Sequence, residues 1–333
     1  MRARDVVAAL TVGELDDLSD DLREHGAAAI GATLAEVVAL VGTTDRATRL
    51  RAWLRVHGVA VPRPPRPRTE RAPPPVVDLG RTHVVFGDAH AAPGQDLSRF
   101  VDMGRIVRAE MDRADEVVLV QIGDWYSFDS LCDHETLKKR AVERVTEDIA
   151  AGEAALEAFH RGLGSPAIPD GLEAHLTLGN HDVRIDRLAE SAPWLDGIYG
   201  VGAAHDARGW HVHPYRTPAR IDGVRYQHDL PGRGGGRAIG GVNAPRALLA
   251  RVHHHESVVV GHSHVLQYVT ERSHVGRRVH AVVVGAWLDH VEDYAGPDNE
   301  SWWVGHVVMR GVVDGDPRGG VEFHPRTRAK EVP

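Results

Sequence analysis

Thiols are nearly absent: Cys132 is the only cysteine in 333 residues, so no intramolecular disulfide can form and a thiolate zinc cluster is excluded. Aromatic side chains make up only 5% of the chain, leaving valine and leucine to pack the core. No uninterrupted apolar run approaches membrane-spanning length, and Met1-Arg2-Ala3-Arg4-Asp5 lacks the long apolar stretch of a signal peptide. A soluble, cytoplasmic protein with no membrane contact is the expectation. Overall basic charge is missing too. The formal charge of −8 argues against a wholly basic nucleic-acid coat protein, while leaving room for a local basic patch. With 42% hydrophobic residues there is enough for one large core and a small appendage, and histidine is plentiful at 22 residues.

Three regions differ in composition. Residues 1–58 read as a small helical module: Leu15, Leu18 and Leu22 recur at helical spacing, and Leu34, Val37, Val38 and Val41 form a second apolar face that stops at Gly42. A third face carries Ala47, Leu50, Trp53 and Leu54, with Arg46, Arg49, Arg51 and Arg55 largely off it, an arrangement with some likeness to a helix-turn-helix. Residues 59–78 are dense in proline and arginine and read as an extended linker. From Asp45 to Arg71 eight arginines face only Asp45 and Glu70, a net of +6, which suits a phosphate backbone and equally suits a solvated tether. Residues 79–333 then alternate short β-rich runs with helical stripes, an α/β pattern. The spacing predicts strands at His83–Phe86, Val117–Ile122, His175–Leu178, Val224–Gln227, Val258–Val260, Val279–Val284 and Trp303–Met309. Helices are predicted at Leu97–Met111, His134–Phe159, Val183–Glu190 and Pro245–Val252. The glycine-rich piece Pro231–Arg237 reads as a mobile surface loop.

Chemistry concentrates where predicted strands end. Asn180, His181 and Asp182 follow the apolar run ending at Leu178: an amide oxygen for a hard or borderline cation, an imidazole that can ligate or carry a proton, and a carboxylate able to orient it. Asp88 and His90 follow one strand, Asp124 another, His228 a third, and His262 and His264 a fourth. In an open α/β sheet ligands bind beyond the carboxyl ends of the strands, so these turns can converge. Alternate residues such as Asp88/His90 and His262/His264 would present their side chains to one centre if the segments were extended. Two further aromatics, Trp125 and Tyr126, can stack on a base or sugar or simply fill the core, and Arg184 is placed to clamp a phosphate.

The order Asp-x-His, Gly-Asp, Gly-Asn-His-Asp, His, Gly-His-x-His resembles the calcineurin-like metallophosphoesterase superfamily from about Thr82 onward. The stretch Gly123–Ser130, the charged helix after it and the turn Gly285-Ala286-Trp287 are also similar to the members encoded by bacteriophages. The resemblance implies a four-layer αββα sandwich of two mixed sheets. It implies two divalent transition-metal ions, manganese first, with iron, zinc or cobalt as alternatives. By the same resemblance Asp124 bridges the metals, Asp88, His90 and His264 complete one site, and Asn180, His228 and His262 the other. A metal-bridging hydroxide would attack phosphorus in line, His181 would protonate the leaving oxygen, and Asp182 would fix its tautomer. One departure stands out: Ser127 occupies a position where the superfamily often has aspartate, which leaves the support around the site open. The implied activity is a metal-dependent phosphoric ester hydrolase, a phosphodiesterase or nuclease on nucleic acid delivered by the N-terminal helices and arginine-rich linker. Two alternatives remain: a phosphomonoesterase acting on nucleotides or phosphoprotein, and a DNA-binding or scaffold protein with a vestigial phosphoesterase domain.

Overall fold

The computed structural model describes residues 80–132, 144–192, 201–290 and 300–327. The expected helical module (1–58) and linker (59–78) lie outside the described residues, as does the start of the helix expected from His134.

Two mixed sheets carry the fold. The first has six strands in the order β11-β10-β1-β2-β3-β4: β1 (Arg81–Phe86), β2 (Val117–Gln121), β3 (Leu172–Thr177) and β4 (His211–His213) run parallel, and β10 (Gly305–Val313) and β11 (Asp316–Pro325) add antiparallel. The second has five, in the order β5-β6-β7-β9-β8. Here β6 (Val224–Tyr226), β7 (Ser257–Val260) and β9 (Arg278–Val283) are parallel, while β5 (Ala219–Ile221) and β8 (Gln267–Arg272) are antiparallel edges.

Alternation along the strands sorts their side chains between layers, because successive residues of a strand point to opposite faces. Val84, Phe86, Val117 and Leu119 pack with Phe100, Met103 and Val107 of α1 (Ser98–Met111) and Leu156 and Phe159 of α2 (Val145–Leu163). Their neighbours Val85, Val118 and Val120 face the other way and meet Val224, Val259 and Val282 of the second sheet. On the far face of that sheet Val258, Val260, Ala281 and Val283 cover Leu248 and Leu249 of α5 (Ala244–Arg251). Each fully buried side chain of this kind contributes roughly 1.5–3 kcal/mol. Helix, sheet, sheet, helix is an order compatible with the expected sandwich.

The short helices α3 (Arg184–Ser191) and α4 (Val201–Asp206) and a single 3-10 turn at Asp129–Leu131 complete the described elements. α2 ends where Gly164 takes the left-handed conformation, four residues beyond the expected Phe159. Strands β4, β5, β8 and β11 and helix α4 are additions to the expected elements. β4 and β5 are three residues long, too short to show a period, and β8 is a half-exposed edge. No helix among the described residues is long and apolar enough to cross a membrane.

Candidate metal centre

Every expected ligand follows the carboxyl end of a parallel strand: Asp88 and His90 after β1, Asp124 after β2, Asn180 after β3, His228 after β6, His262 and His264 after β7. The first sheet thus supplies four of them and the second three. His262 is exposed and Asn180 half-buried, whereas Asp88, His90, Asp124, His228 and His264 are buried.

The turns are shaped by backbone conformations that side-chain-bearing residues seldom adopt. His90, Asp124, His262 and His264 have φ of 44°, 51°, 69° and 56°. The pairs Asp88/His90 and His262/His264 therefore converge through left-handed turns and not through the extended alternation expected from the sequence. Two glycines make room for this. A Cβ on Gly179 would lie 2.1 Å from Asp124 Oδ1, and Gly123, at φ 93°, sits where a Cβ would meet His228 Nδ1 at 2.7 Å.

Three groups of ligand atoms come together: Asp88, His90 and His264; His90, Asp124 and His181; and Asp124, His228 and His262. In the third, His228 Nδ1–H donates to the Ile122 carbonyl at 2.8 Å, which turns Nε2 toward the other members of the group. That nitrogen lies 3.3 Å from Asp124 Oδ2, 3.0 Å from Asn180 Oδ1 and 3.3 Å from His262 Nδ1. In the first group His264 Nε2 is 2.8 Å from Asp88 Oδ2. Geometry there is not that of a hydrogen bond, and Asp88 Oδ2 and both ring nitrogens of His90 have no hydrogen-bond partner although fully buried. Burying such groups unpaired is costly. Donor atoms left bare and turned toward one another fit cations, and mixed carboxylate, amide and imidazole donors suit divalent transition metals.

The electrostatics agree. Burial lowers the His228 imidazole, but the carboxylates of Asp124 and Asp88 outweigh it and raise its pKa to about 10. Burial likewise acts to raise Asp124, and the positive field of His228 and His181 carries it well below its ordinary range. His90, buried and beside His181, is held well below the ordinary imidazole value. Positive charge is thus demanded at the carboxylates.

The His181 imidazole is fixed differently from expectation. Its Nδ1–H donates to the Ser127 carbonyl at 2.7 Å, and Arg184 donates to its Nε2 at 3.2 Å. Asp182 does not reach the ring: its two oxygens accept the N–H groups of Tyr126 (3.0 Å) and Gly179 (2.8 Å), tying the β2 and β3 turns together. Burial and the neighbouring Asp124 carboxylate raise Asp182 to about 7. The tautomer is thus set by a backbone carbonyl, so the absence of an aspartate side chain at Ser127 costs no hydrogen bond to His181.

Trp125 and Tyr126 are core residues and not a stacking platform. Both are buried. Trp125 packs on Phe100 and Trp210 and donates Nε1–H to Gly152 at 3.1 Å, and Tyr126 stacks on Phe128. Arg184 is beside the site, yet one of its nitrogens already donates to the Ser127 and Phe128 carbonyls.

Three supporting residues carry little sequence signal of their own. Gln121, wholly buried, donates to the Gly87 and Gly123 carbonyls and accepts from Gly123 N–H, joining the β1 and β2 turns. Buried Arg99 donates to the Ala89 and His90 carbonyls at 2.8 and 3.2 Å. Trp287, in the turn singled out after β9, donates its backbone N–H to the Asp88 carbonyl and its Nε1–H to the Arg99 carbonyl, each at 2.8 Å. A glutamine closing a valine strand, Gln121, is a visible clue, as is the turn that holds Trp287.

No protein-family model matches the sequence, and no curated protein does. Among solved structures the chain is similar to the crystal structure of Pseudomonas putida nuclease MPE, at 13% identity over 66% of this chain and 86% of that one, with a TM-score of 0.29. A superposition that loose fixes neither the fold nor the activity.

Proposed function

We propose that this chain is a metal-dependent phosphoesterase that cleaves phosphodiesters of nucleic acid with two divalent cations, manganese foremost. Asp88, His90 and His264 would hold one cation and Asn180, His228 and His262 the other, with Asp124 shared. The observation that carries this reading is the position of Asp124 Oδ2, which lies 3.8 Å from His90 Nε2 on one side and 3.3 Å from His228 Nε2 on the other. One carboxylate oxygen between two ligand groups is what a bridging ligand requires. Its second oxygen is engaged by the His181 backbone N–H at 2.8 Å, which fixes the carboxylate's orientation.

Bound there, the cations would supply Lewis-acid activation of the phosphate ester and of an attacking water. His181 is the group we assign to give the leaving oxygen its proton, from Nε2, because Nδ1 is committed to Ser127; Nε2 accepts from Arg184 here, so the acid role requires that Arg184 turn away when Nε2 takes up its proton. Burial, reinforced by Arg184, keeps the imidazole below its ordinary value, so a proton held at Nε2 is readily given up. Asp182 holds the turn that carries Asn180 and His181. The arginine-rich stretch 45–71, with its net of +6 across the end of the 1–58 module and most of the 59–78 linker, would supply a cationic approach for nucleic acid, and 79–333 the chemistry.

Metal analysis of the purified chain after manganese reconstitution tests the centre: close to two ions per chain are expected, with EDTA abolishing hydrolysis of bis-p-nitrophenyl phosphate. A preparation that binds no metal and stays inactive defeats the proposal. Faster turnover of mono- than of bis-p-nitrophenyl phosphate would turn it toward a monoesterase. His181→Ala is expected to slow esters of poor leaving groups about 10²–10⁴-fold, and activated nitrophenyl esters far less. Equal losses on both would remove His181 from the acid role.

A further inference from the structure

The glycine-rich segment after His228 is a closed hairpin. Pro231 and Ala238 pair as an antiparallel bridge, Gly232 N–H donates to the Arg237 carbonyl at 3.2 Å, and Ile239 N–H to the Leu230 carbonyl at 2.9 Å. At the tip Gly234, Gly235 and Gly236 have φ of 87°, 80° and 93°, a run that only glycine adopts without strain.

Its base is anchored on both sides. Leu230 is buried in the core beneath α5, and Arg251 of that helix donates to the Pro231 carbonyl at 3.2 Å. One nitrogen of Arg216 lies 3.0 Å from Asp229 Oδ2 and 3.2 Å from the Gly236 carbonyl. Asp229 is buried and adjoins His228, so a single guanidinium ties the hairpin tip to the turn that carries a ligand of the proposed metal centre.

The hairpin presents Arg233 and Arg237, both exposed, and no acidic residue between Pro231 and Ala238. Neither guanidinium has a hydrogen bond or ion pair among the described residues, whereas Arg216 and Arg251 are both engaged. A solvated, soluble loop would need no such closure. Two guanidiniums without a partner among the described residues, carried on a hydrogen-bonded, side-chain-poor hairpin, offer the planar donor fork by which arginine grips phosphate, and the missing Cβ atoms let a strand approach closely.

We infer that the hairpin Pro231–Ala238 is a phosphate-binding arm, with Arg233 and Arg237 holding phosphates of a nucleic-acid strand next to the one being cleaved and Arg216 positioning the arm. This rests on the phosphoesterase reading and assigns it a substrate with several phosphates.

The test compares the full-length chain with its Arg233→Ala/Arg237→Ala double variant, both reconstituted with manganese, on a short single-stranded oligonucleotide and on bis-p-nitrophenyl phosphate. The variant is expected to lose at least about 10-fold more kcat/KM on the oligonucleotide than on the small diester. Its oligonucleotide KM should also depend less steeply on salt, by about 0.7 in log–log slope for each lost phosphate contact. Arg233→Lys/Arg237→Lys should restore the salt slope while recovering only part of the affinity, since lysine keeps the charge and loses the fork. Equal losses on the two substrates, or an unchanged salt slope, would overturn the arm while leaving the metal centre standing. A wild-type chain inactive on both substrates would overturn the phosphoesterase reading and the arm together.

Discussion

Two populations of buried histidine share this molecule, and the difference between them lies in the company each keeps. His175, His205 and His306 sit along β3, in α4 and along β10, away from the strand-end turns. Burial lowers them to about 4, 3 and 4. Where they have polar partners the arrangement suits a neutral ring: His175 Nε2–H donates to Glu173 at 2.8 Å, and its Nδ1 accepts from His213 at 2.9 Å. His228 is no less buried, yet its pKa rises to about 10, since Asp124 and Asp88 lie against it and burial is outweighed. Burial alone makes a histidine neutral. Buried carboxylates turn the same environment into a place for cations.

The strongest way to break this contrast is Asp124→Ala, which removes the carboxylate shared by both ligand groups. We expect bound manganese to fall from near two ions per chain to one or none and kcat/KM to drop by at least about 10³-fold, beyond the 10–100-fold typical of partners one step removed from a metal. Two ions retained in the variant would show that Asp124 bridges nothing.

Acid titration probes the other population. These histidines bind fewer protons folded than unfolded, so their contribution to stability is complete above about pH 6.5 and is lost as pH falls toward their folded values near 3–4. The expected loss between pH 6.5 and 4.5 is on the order of 1–3 kcal/mol per group, since each tenfold difference in proton affinity between the folded and unfolded chain is worth about 1.4 kcal/mol. Calorimetry across that window should show the melting temperature falling. His205→Leu should flatten the slope, and a variant with the wild-type slope would mean that His205 does not titrate in the unfolding equilibrium.

Trp125→Phe gives the smallest expected effect and separates core from site. It removes the hydrogen bond to Gly152 and some buried volume, about 1–3 kcal/mol of stability, and should leave KM for an oligonucleotide within about two-fold of wild type. A large rise in KM without loss of stability would return Trp125 to the substrate.

Much of the centre is legible in the sequence because its chemistry is written in short local pieces. Asp88-x-His90, Gly123-Asp124, Gly179-Asn180-His181-Asp182 and Gly261-His262-x-His264 each end a β-rich run, and strand ends are where sheets of this class gather ligands. The layers are implied only through family resemblance, since hydrophobic alternation reveals a strand but not which sheet it joins. What escapes a reading of the sequence is set by distant parts of the chain. That Asp182 binds backbone N–H groups depends on where the β2 turn passes, and that Trp125 is core depends on Trp210 and α1. The strap at the Gly-rich tip depends on Arg216, whose φ of 61° nothing in its neighbours announces.

The ligands also carry a temporal order. Asp88 and His262 are 174 residues apart, and the His262 N–H bonds to Asp88 Oδ1 at 3.1 Å. A chain emerging from synthesis therefore carries Asp88, His90, Asp124 and Asn180 long before His262 and His264 exist to complete either group. Contacts this distant in sequence form late, after the loop-closure cost between them has been met. Tight metal capture at the proposed centre would accordingly mark completion of the fold, adding to the hydrogen bonds from His262 N–H to Asp88 and from His228 to the Ile122 carbonyl that already join the two sheets.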